Sequence, residues 1–484
     1  MNIPDSKTPS VAGLFALALA AATLAALHAG WAARDLDADG SYYLLMARGG
    51  MYLLEPARKT VQALQQSLAF AGSLAGVTDM LTLGQLLTLG MQGWPVLITG
   101  VCWFALPRGQ KGWILGPLLN LAAVIPATSF IGIGEGMIAS CLMWLLFLLV
   151  EFDGGTVLRL PAAIALAAAC FTLHEAAFPF MLGIGFLAGA RAVRAPGLKR
   201  LGLALVALLS LAAAIHLFTL VIHPRDPTNR GAFLFSLFSD AWITRTSDSF
   251  GINLPALGGL AAGLCLLLVY FAKPVLLLRR ACFGALVLFA VIALLFLAVP
   301  QWVAAPQNYF AARGLPIMAT MVLAAMLHLL RRAGWKAESL APPPVRLVLA
   351  SLIGLNLLIQ TVLTVQWTSY RDDVSALLAP RRGIIAWDTA AHSLNPDHAY
   401  LRGGLLHGWS LQTLSIVLAP GGMVAAAVDA RPGTAWKPYR LNDPTSLPFC
   451  VPGLDWSLYL AVLGQPEAQR KTACPPLGLN PFSL

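Results

Sequence analysis

Three carboxylates stand within five residues in the run Asp35-Leu36-Asp37-Ala38-Asp39, and Gly40, Ser41 and the pair Tyr42-Tyr43 follow at once. Carboxylates this close repel one another, which raises at least one pKa. Such a group suits a general base, or a divalent cation where two of them converge. A solvated acidic turn is the plainer reading. Against it, Tyr42-Tyr43-Leu44-Leu45 predicts a short interfacial helix that holds the acids in place. Four further segments carry groups of comparable interest. Glu135 sits in the glycine-rich turn Gly132-Ile133-Gly134-Glu135-Gly136. His174 and Glu175 are adjacent in an almost wholly apolar stretch, where ionisable groups are costly and usually face a cavity or a partner. The 223–254 segment adds His223, Arg225, Asp226, Arg230, Arg245 and Asp248. Gln307-Asn308-Tyr309-Phe310-Ala311-Ala312-Arg313 opens another apolar run. There Arg313 is a candidate phosphate grip, because a guanidinium presents a rigid fork of donors. A snorkelling interfacial arginine is the alternative.

The elements that must position these groups are membrane helices. Hydrophobic residues make up 58% of the chain and charged residues 11%, with a mean hydropathy of +0.73. A soluble domain carries about 25% charged residues, so too few are present to cover a water-facing surface. The apolar runs approach the roughly 20 residues a helix needs to cross the hydrocarbon core, and they lack the alternation of a barrel strand. The expected fold is therefore an all-α polytopic membrane protein with about eleven transmembrane helices. They fall at 11–31, 82–106, 113–130, 136–151, 160–173, 176–190, 200–222, 255–272, 281–299, 314–330 and 345–366. The fifth and sixth are short and could form one bent helix.

Charge asymmetry orients them. Alternate loops hold Arg108 and Lys111; Arg191, Arg194, Lys199 and Arg200; Lys273, Arg279 and Arg280; and Arg331, Arg332 and Lys336. Lys and Arg gather in cytoplasmic loops, and these groups share one side only if two helices lie between 160 and 190. The N-terminus is then cytoplasmic and the C-terminus outside, as for a bacterial inner-membrane protein with a periplasmic tail. The first apolar run is longer than a typical signal-peptide core, so it reads as a retained helix. All five candidate segments fall on the outer face.

Residues 1–366 form the expected membrane domain, in which 32–81 is a first outer loop whose amphipathic stretch 56–72 could lie along the interface. Residues 367–484 form an expected small extracytoplasmic domain of α/β type, with apolar patches at 411–418 and 457–463. Cys102, Cys141, Cys170, Cys265 and Cys282 lie in spans as small apolar side chains. Cys450 and Cys474 could pair in an oxidising periplasm. No zinc-type cysteine spacing occurs. The net charge of +10 is accounted for by inner loops and gives no argument for nucleic acid.

Asp39-Gly40-Ser41-Tyr42-Tyr43-Leu44, placed just after the first helix, resembles the Asp-Glu-x-Tyr type motif of the GT-C superfamily of integral-membrane glycosyltransferases. Gly40 stands where the second acid of that motif often falls, and Asp37 is the substitute. The segment Tyr309 to Pro316 resembles an aromatic–Arg–Pro signature late in the membrane domain of some members. The resemblance implies a polyprenyl-phosphate-linked sugar as donor and an extracytoplasmic glycan, lipid or protein as acceptor, within the membrane lipid of a cell envelope. The absence of a Gly-rich strand–helix unit for a nucleotide agrees with that donor. The resemblance further implies that Asp37 or Asp39, with Asp35 beside them, acts as base. Arg313, with a protonated His174, would stabilise the leaving phosphate. Glu135, Glu175, Tyr42, Tyr309, Arg225 and Arg245 would contact substrate. No cofactor is required, and a divalent cation could be accommodated. A transporter or flippase, or a non-catalytic part of an envelope polysaccharide system, is the alternative. The former predicts polar groups at mid-bilayer depth, and the span centres read as almost bare.

Overall fold

A computed structural model describes residues 10–37, 39–48, 58–125, 134–152, 158–223, 243–246, 249–252, 309–394, 410–419 and 426–429. Ser10 starts α1 (Val11–Trp31) by accepting the N–H of Gly13 at 3.0 Å, which satisfies one of the donors that every helix start leaves open. A 3-10 turn (Arg34–Leu36) leads to α2 (Gly40–Arg48), α3 (Lys59–Leu74) and α4 (Met80–Ala105), the last capped by Asp79. A short helix α5 (Leu115–Leu119) passes into one π turn (Asn120–Val124). Next come α6 (Glu135–Glu151), α7 (Arg159–Ala169), α8 (Phe178–Arg194) and α9 (Gly197–Ile222). Strands β1 (Ile243–Thr246) and β2 (Ser249–Ile252) pair antiparallel. The chain resumes in α10 (Tyr309–Arg332) and α11 (Pro343–Leu378). Its last described elements are β3 (Gly383–Ile385), α12 (Trp387–Leu394), α13 (Ser410–Val417) and β4 (Ala426–Val428), with β3 and β4 parallel.

Five of the described helical segments are long and apolar enough to cross a membrane: Val11–Trp31, Met80–Ala105, Glu175–Arg194, Gly197–Ile222 and Val345–Leu378. The chain is a mostly helical, multi-pass membrane protein. The expected spans at 255–272 and 281–299, Cys265, Cys282, the Cys450–Cys474 pair and the patch at 457–463 lie outside the described residues. The fifth and sixth expected spans are two helices, α7 and α8, separated by 3-10 turns and an extended residue at His174.

The C-terminal expectation needs correction. Helix α11 runs for 36 residues through position 366 without a break, and no clear α/β domain follows among the described residues. The parallel pair has only three residues per strand, and α13 lays a fully buried turn against α2 and α11. The helix continues because Trp367, Tyr370 and Val374 keep an apolar stripe running past the lipid-facing part.

Helix α6 is the centre of the bundle. Fifteen of its residues are buried, and α4, α7, α8 and α10 pack around it. Its C-terminal carbonyls, which no helix can satisfy internally, are taken by arginines. Arg159 donates to Leu148, Leu149 and Ala105, Arg191 to Val150 and Glu151, and Arg331 to Glu151. Three cations at a helix C-terminus also oppose its dipole. Glu151 itself is bound by Arg331 at 2.5 Å and by His328 at 3.1 Å.

The interior is less bare than hydropathy suggests. Asn120, in the π turn, donates to Ser140 at 3.0 Å, and Asn356 of α11 donates to the carbonyl of Ala122. Gln92 and Gln360 are also buried. A long apolar average hides single amides that pair across helices. Close approach is set by small residues. A Cβ on Gly40 would lie 1.4 Å from the carbonyl oxygen of Asp35, so α2 can start directly over the 3-10 turn only with glycine there. The Gly40→Ala variant is therefore expected to lose the folded protein, read as loss of a monodisperse peak and a cooperative melt in detergent. Gly109→Ala, where a Cβ meets nothing within 4 Å, is expected to melt like the parent.

Candidate functional site

The acidic run does not lie on the surface as an open turn. Ala33 adopts a left-handed backbone (φ 50°, ψ 43°), a conformation that costs a non-glycine residue of order 1–2 kcal/mol. The reversal turns the chain back into the bundle between α4 and α11. Arg34 then donates to Gln360 at 2.6 Å and to Thr364 at 3.2 Å. The carbonyl of Ala32 accepts from Trp367 and from Arg371, each at 3.0 Å. Positions 360, 364, 367 and 371 share one face of α11, each about one turn from the next. That spacing is readable in the sequence, but only once α11 is known to continue past its apolar part.

On the α4 side, Gln92 donates to Asp35 Oδ2 at 2.8 Å, and Thr88 Oγ1 accepts from the Asp35 backbone at 3.2 Å. Asp35 Oδ1 lies 3.8 Å from Arg34 Nε. Burial pushes the Asp35 carboxyl up to about 6, against the pull of Arg34 and Gln92. Burial likewise holds Arg34 below its ordinary value despite the adjacent acids. Asp37 is buried, with Tyr370 in its electrostatic reach, and Asp39 is buried at the entry to α2. Ser41 and Thr413 share a hydrogen bond of 2.6 Å, so α13 closes over the start of α2.

The second group centres on Glu135, the first residue of α6. It is fully buried rather than a solvated cap, and its position favours a negative charge through the helix dipole. Tyr43 and Gln62 donate to its Oε1 at 3.2 and 2.6 Å, and Arg58 donates to Oε2 at 3.1 Å. Arg58 also donates to both oxygens of Glu175, at 2.9 Å through Nε and closer through Nη2. Burial works against the charge on Arg58, but Glu135 and Glu175 outweigh it and hold the guanidinium above its ordinary value.

His174 is buried beside this cluster, with Nδ1 accepting the N–H of Ala176 at 3.1 Å and lying 3.5 Å from Glu175. His174 thus stands between a backbone donor and the Glu175 carboxylate. Thr60 ties the start of α3 to the end of α7 through Ala169 and Thr172, both at 2.8 Å. The side chains of Arg58 and Glu175 retain 17% and 24% exposure, and they form the accessible edge.

The expected residues are thus distributed in two adjoining groups. Asp35, Asp37 and Asp39 belong to the turn between α1 and α2, while Glu135, His174 and Glu175 meet around Arg58. Tyr43 reaches Glu135, whereas Tyr42 is half-buried and tilted against Tyr43. Tyr309 and Arg313 lie in the first turns of α10, whose backbone packs against the Glu175–Ala177 turn. Arg245 sits in β1, in register with Phe250. The side chains of these three lie outside the described residues, as does Arg225. Sequence reasoning missed Arg58, Gln62, Arg34 and Gln92. The amphipathic stretch 56–72 was the available signal, but α3 buries the polar side, Gln62, Gln65 and Gln66, against α4.

A partly open cleft of about 60 Å³ runs along α1 and is lined by Ala18, Ala22, Pro95 and Leu121, with Arg34, Gln92 and Gln360 at its polar end. No group of His, Cys, Asp and Glu able to hold a metal ion is present among the described residues. No protein-family model matches the chain, and no curated protein is significantly similar to it.

Removing one partner of a buried pair leaves an uncompensated charge, at a cost of about 3–5 kcal/mol. Arg58→Met is expected to destabilise by that order, and Arg58→Met with Glu135→Gln to recover most of it, read as a double-mutant cycle on melts in detergent. Additive losses would mean that the two groups do not act as a pair.

Asp35 gives a pH prediction of unusual sign. Its folded pKa of about 6 lies above the ordinary value of 3.8, so between these values the folded state holds more protons than the unfolded one. Its contribution therefore falls as pH rises through that window, by about 3 kcal/mol in all. The difference in melting temperature between parent and Asp35→Asn is expected to change between pH 4 and pH 6. A constant offset would contradict the shift.

Proposed function

We propose that this protein is a membrane glycosyltransferase that moves a sugar from a polyprenyl-phosphate donor to an extracytoplasmic glycan, lipid or protein acceptor. The observation that carries this reading is convergence. Carboxylates from the turn after α1, from the start of α6 and from the start of α8 gather at one end of the bundle, with Arg58 between two of them. Asp35, through Gln92 and Arg34, adjoins a cleft lined mostly by apolar side chains, with those two residues and Gln360 as its polar groups. A substrate with a lipid tail and a polar head asks for that pairing of surfaces. The basic loops at the opposite end support an outer position for the site by the positive-inside rule. The protein is then a bacterial inner-membrane enzyme, with its N-terminus cytoplasmic and its C-terminal segment periplasmic.

In this mechanism an aspartate of the acidic turn removes the proton from the acceptor hydroxyl as the hydroxyl attacks the anomeric carbon. The bond to the lipid phosphate breaks, and the phosphate leaves with the electron pair. Asp37 and Asp39 are the first candidates for the base. Asp35, raised towards neutrality by burial, has a pKa suited to the task, although Gln92 and Arg34 already engage it. Arg313, at the start of α10, remains the proposed contact to the departing phosphate, and no cofactor is needed for these steps.

One observation favours a second reading. The buried amides Gln92, Asn120 and Gln360, with the half-buried Asn356, lie inside the bundle, and polar groups at that depth are what a transporter or flippase of lipid-linked sugars would use.

A deletion strain separates the two. A transferase deletion is expected to lose one sugar from the envelope glycans and to accumulate the lipid-linked sugar on the outer leaflet, as read by mass spectrometry and enzymatic accessibility. A transporter deletion strands it on the inner leaflet. Complementation with Asp37→Asn/Asp39→Asn is expected to fail, with transfer down by about 10²–10⁴-fold and expression unchanged. Full restoration by that variant would sink the assignment of the base.

A further inference from the structure

The cations at the basic end of the bundle fall into two sets. Arg159, Arg191 and Arg331 turn inwards onto backbone carbonyls around the end of α6, and Lys111 donates to the carbonyl of Trp103. Arg194 and Lys199 are exposed instead, on either side of the turn that joins α8 to α9. Arg200 folds back onto the carbonyl of Ala195 at 3.0 Å and sets that turn. Residues 176–222 hold Arg191, Arg194, Lys199 and Arg200 and not one Asp or Glu. The end of α8 accounts for Arg194 in part, since a helix C-terminus favours cations. The first turn of α9 does the reverse and disfavours Lys199 and Arg200. Like charges are therefore crowded here with no acid of their own hairpin to offset them.

Each exposed cation follows an exposed apolar residue. Val193 precedes Arg194 and is 77% exposed, and Leu198 precedes Lys199 and is 83% exposed. From Leu198 the apolar stripe continues along α9 through Leu201, Leu205 and Leu208, positions three and four apart that share one face. At about 1.5 Å per residue the stripe rises about 15 Å, half of the roughly 30 Å hydrocarbon core. It is as long as one leaflet is deep, and it ends at the cations.

We propose that the turn between α8 and α9 binds an anionic phospholipid, with the headgroup phosphate between Arg194 and Lys199 and an acyl chain along the 198–208 stripe. The inference stands apart from the transferase reading. Charge selects the headgroup, and the stripe selects a lipid over other anions. A nucleic acid or an acidic peptide would meet the cations but leave Val193 and Leu198 in water. A zwitterionic lipid covers the stripe, but its own ammonium competes with the two side chains for the phosphate.

The test uses the full chain, purified in detergent and stripped of lipid, with native mass spectrometry of its complexes with phosphatidylglycerol and phosphatidylcholine carrying the same acyl chains. The parent is expected to retain phosphatidylglycerol in preference by about tenfold, a difference that two cations at an anionic surface supply. Arg194→Gln/Lys199→Gln is expected to lose that preference. Arg108→Gln/Lys336→Gln removes the same charge from two exposed positions, on turns that pack against each other beside α1, and is expected to keep it. Equal loss in the two double variants would reduce the effect to net charge and overturn the site, as would a parent without preference. Glycerophosphate, which has the phosphate but no chain, is expected not to displace the lipid. Displacement would assign the cations to a free anion and overturn the proposal. The lipid-free melting temperature of Arg194→Gln/Lys199→Gln is expected to match that of the parent. A lowered melting temperature with the lipid preference intact would assign Arg194 to the end of α8 alone, against the proposal.

Discussion

A carboxylate with no access to water must be matched by donors, and Glu135 imposes that constraint on this bundle. It opens a helix enclosed on nearly every side, so nothing but other parts of the chain can solvate it. Tyr43 comes from α2, Gln62 and Arg58 from α3 and its lead-in, and Arg58 carries Glu175 with it from the start of α8. Four segments, among them Arg58 and Glu175 at 117 positions apart, are thereby tied to one point. Because the partners must be in place for the charge to be tolerated, the same contacts that stabilise this end of the bundle also shape its candidate site.

The opposite end of α6 solves the mirror problem. Its carbonyls and Glu151 are met by Arg159, Arg191, Arg331 and His328. Arg191 and Arg331, from the basic loops, are therefore also caps on the central helix. A positive-inside bias and a helix C-terminus ask for the same charge in the same place. This explains why Arg159 and Arg191 point at backbone oxygens rather than outwards to lipid headgroups.

Much of this was legible from run length alone. Helices α1, α4, α8 and α9 follow the apolar runs within a few residues, and the split between α7 and α8 agrees with the parity of the basic loops. The failures have a common cause. Run length identifies a helix by its lipid-facing part and is silent where the same helix continues in water. Helix α11 was read as ending at 366, so Trp367 and Arg371, which hold the carbonyl of Ala32, were assigned to a separate tail. Arg58 lies in the amphipathic stretch 56–72, but nothing local marks its role, since its worth comes from Glu135 and Glu175, 77 and 117 positions away. Glutamines on α3 read as the solvated side of an amphipathic helix, because periodicity reports that a helix has two faces but not which one is buried.

The acidic turn shows how these constraints combine. A left-handed alanine, a glycine with no room for a Cβ, and a helix extended past its apolar stretch are each costly or odd in isolation. Together they fold Arg34 and Asp35 back between α4 and α11 and leave Asp37 and Asp39 at the entry to α2. Gly40 also accounts for the one departure from the acidic motif of the family that this segment resembles. A second carboxylate at that position would collide with the carbonyl of Asp35, so any second acid must come from Asp37 or Asp35. Backbone strain of this kind persists only where the surroundings over-determine it, and here the surroundings are the amides and aromatic side chains of two long helices. Arg34 and Asp35 are therefore fixed by partners on both α4 and α11, and the proposed base would depend on such fixing to hold one orientation.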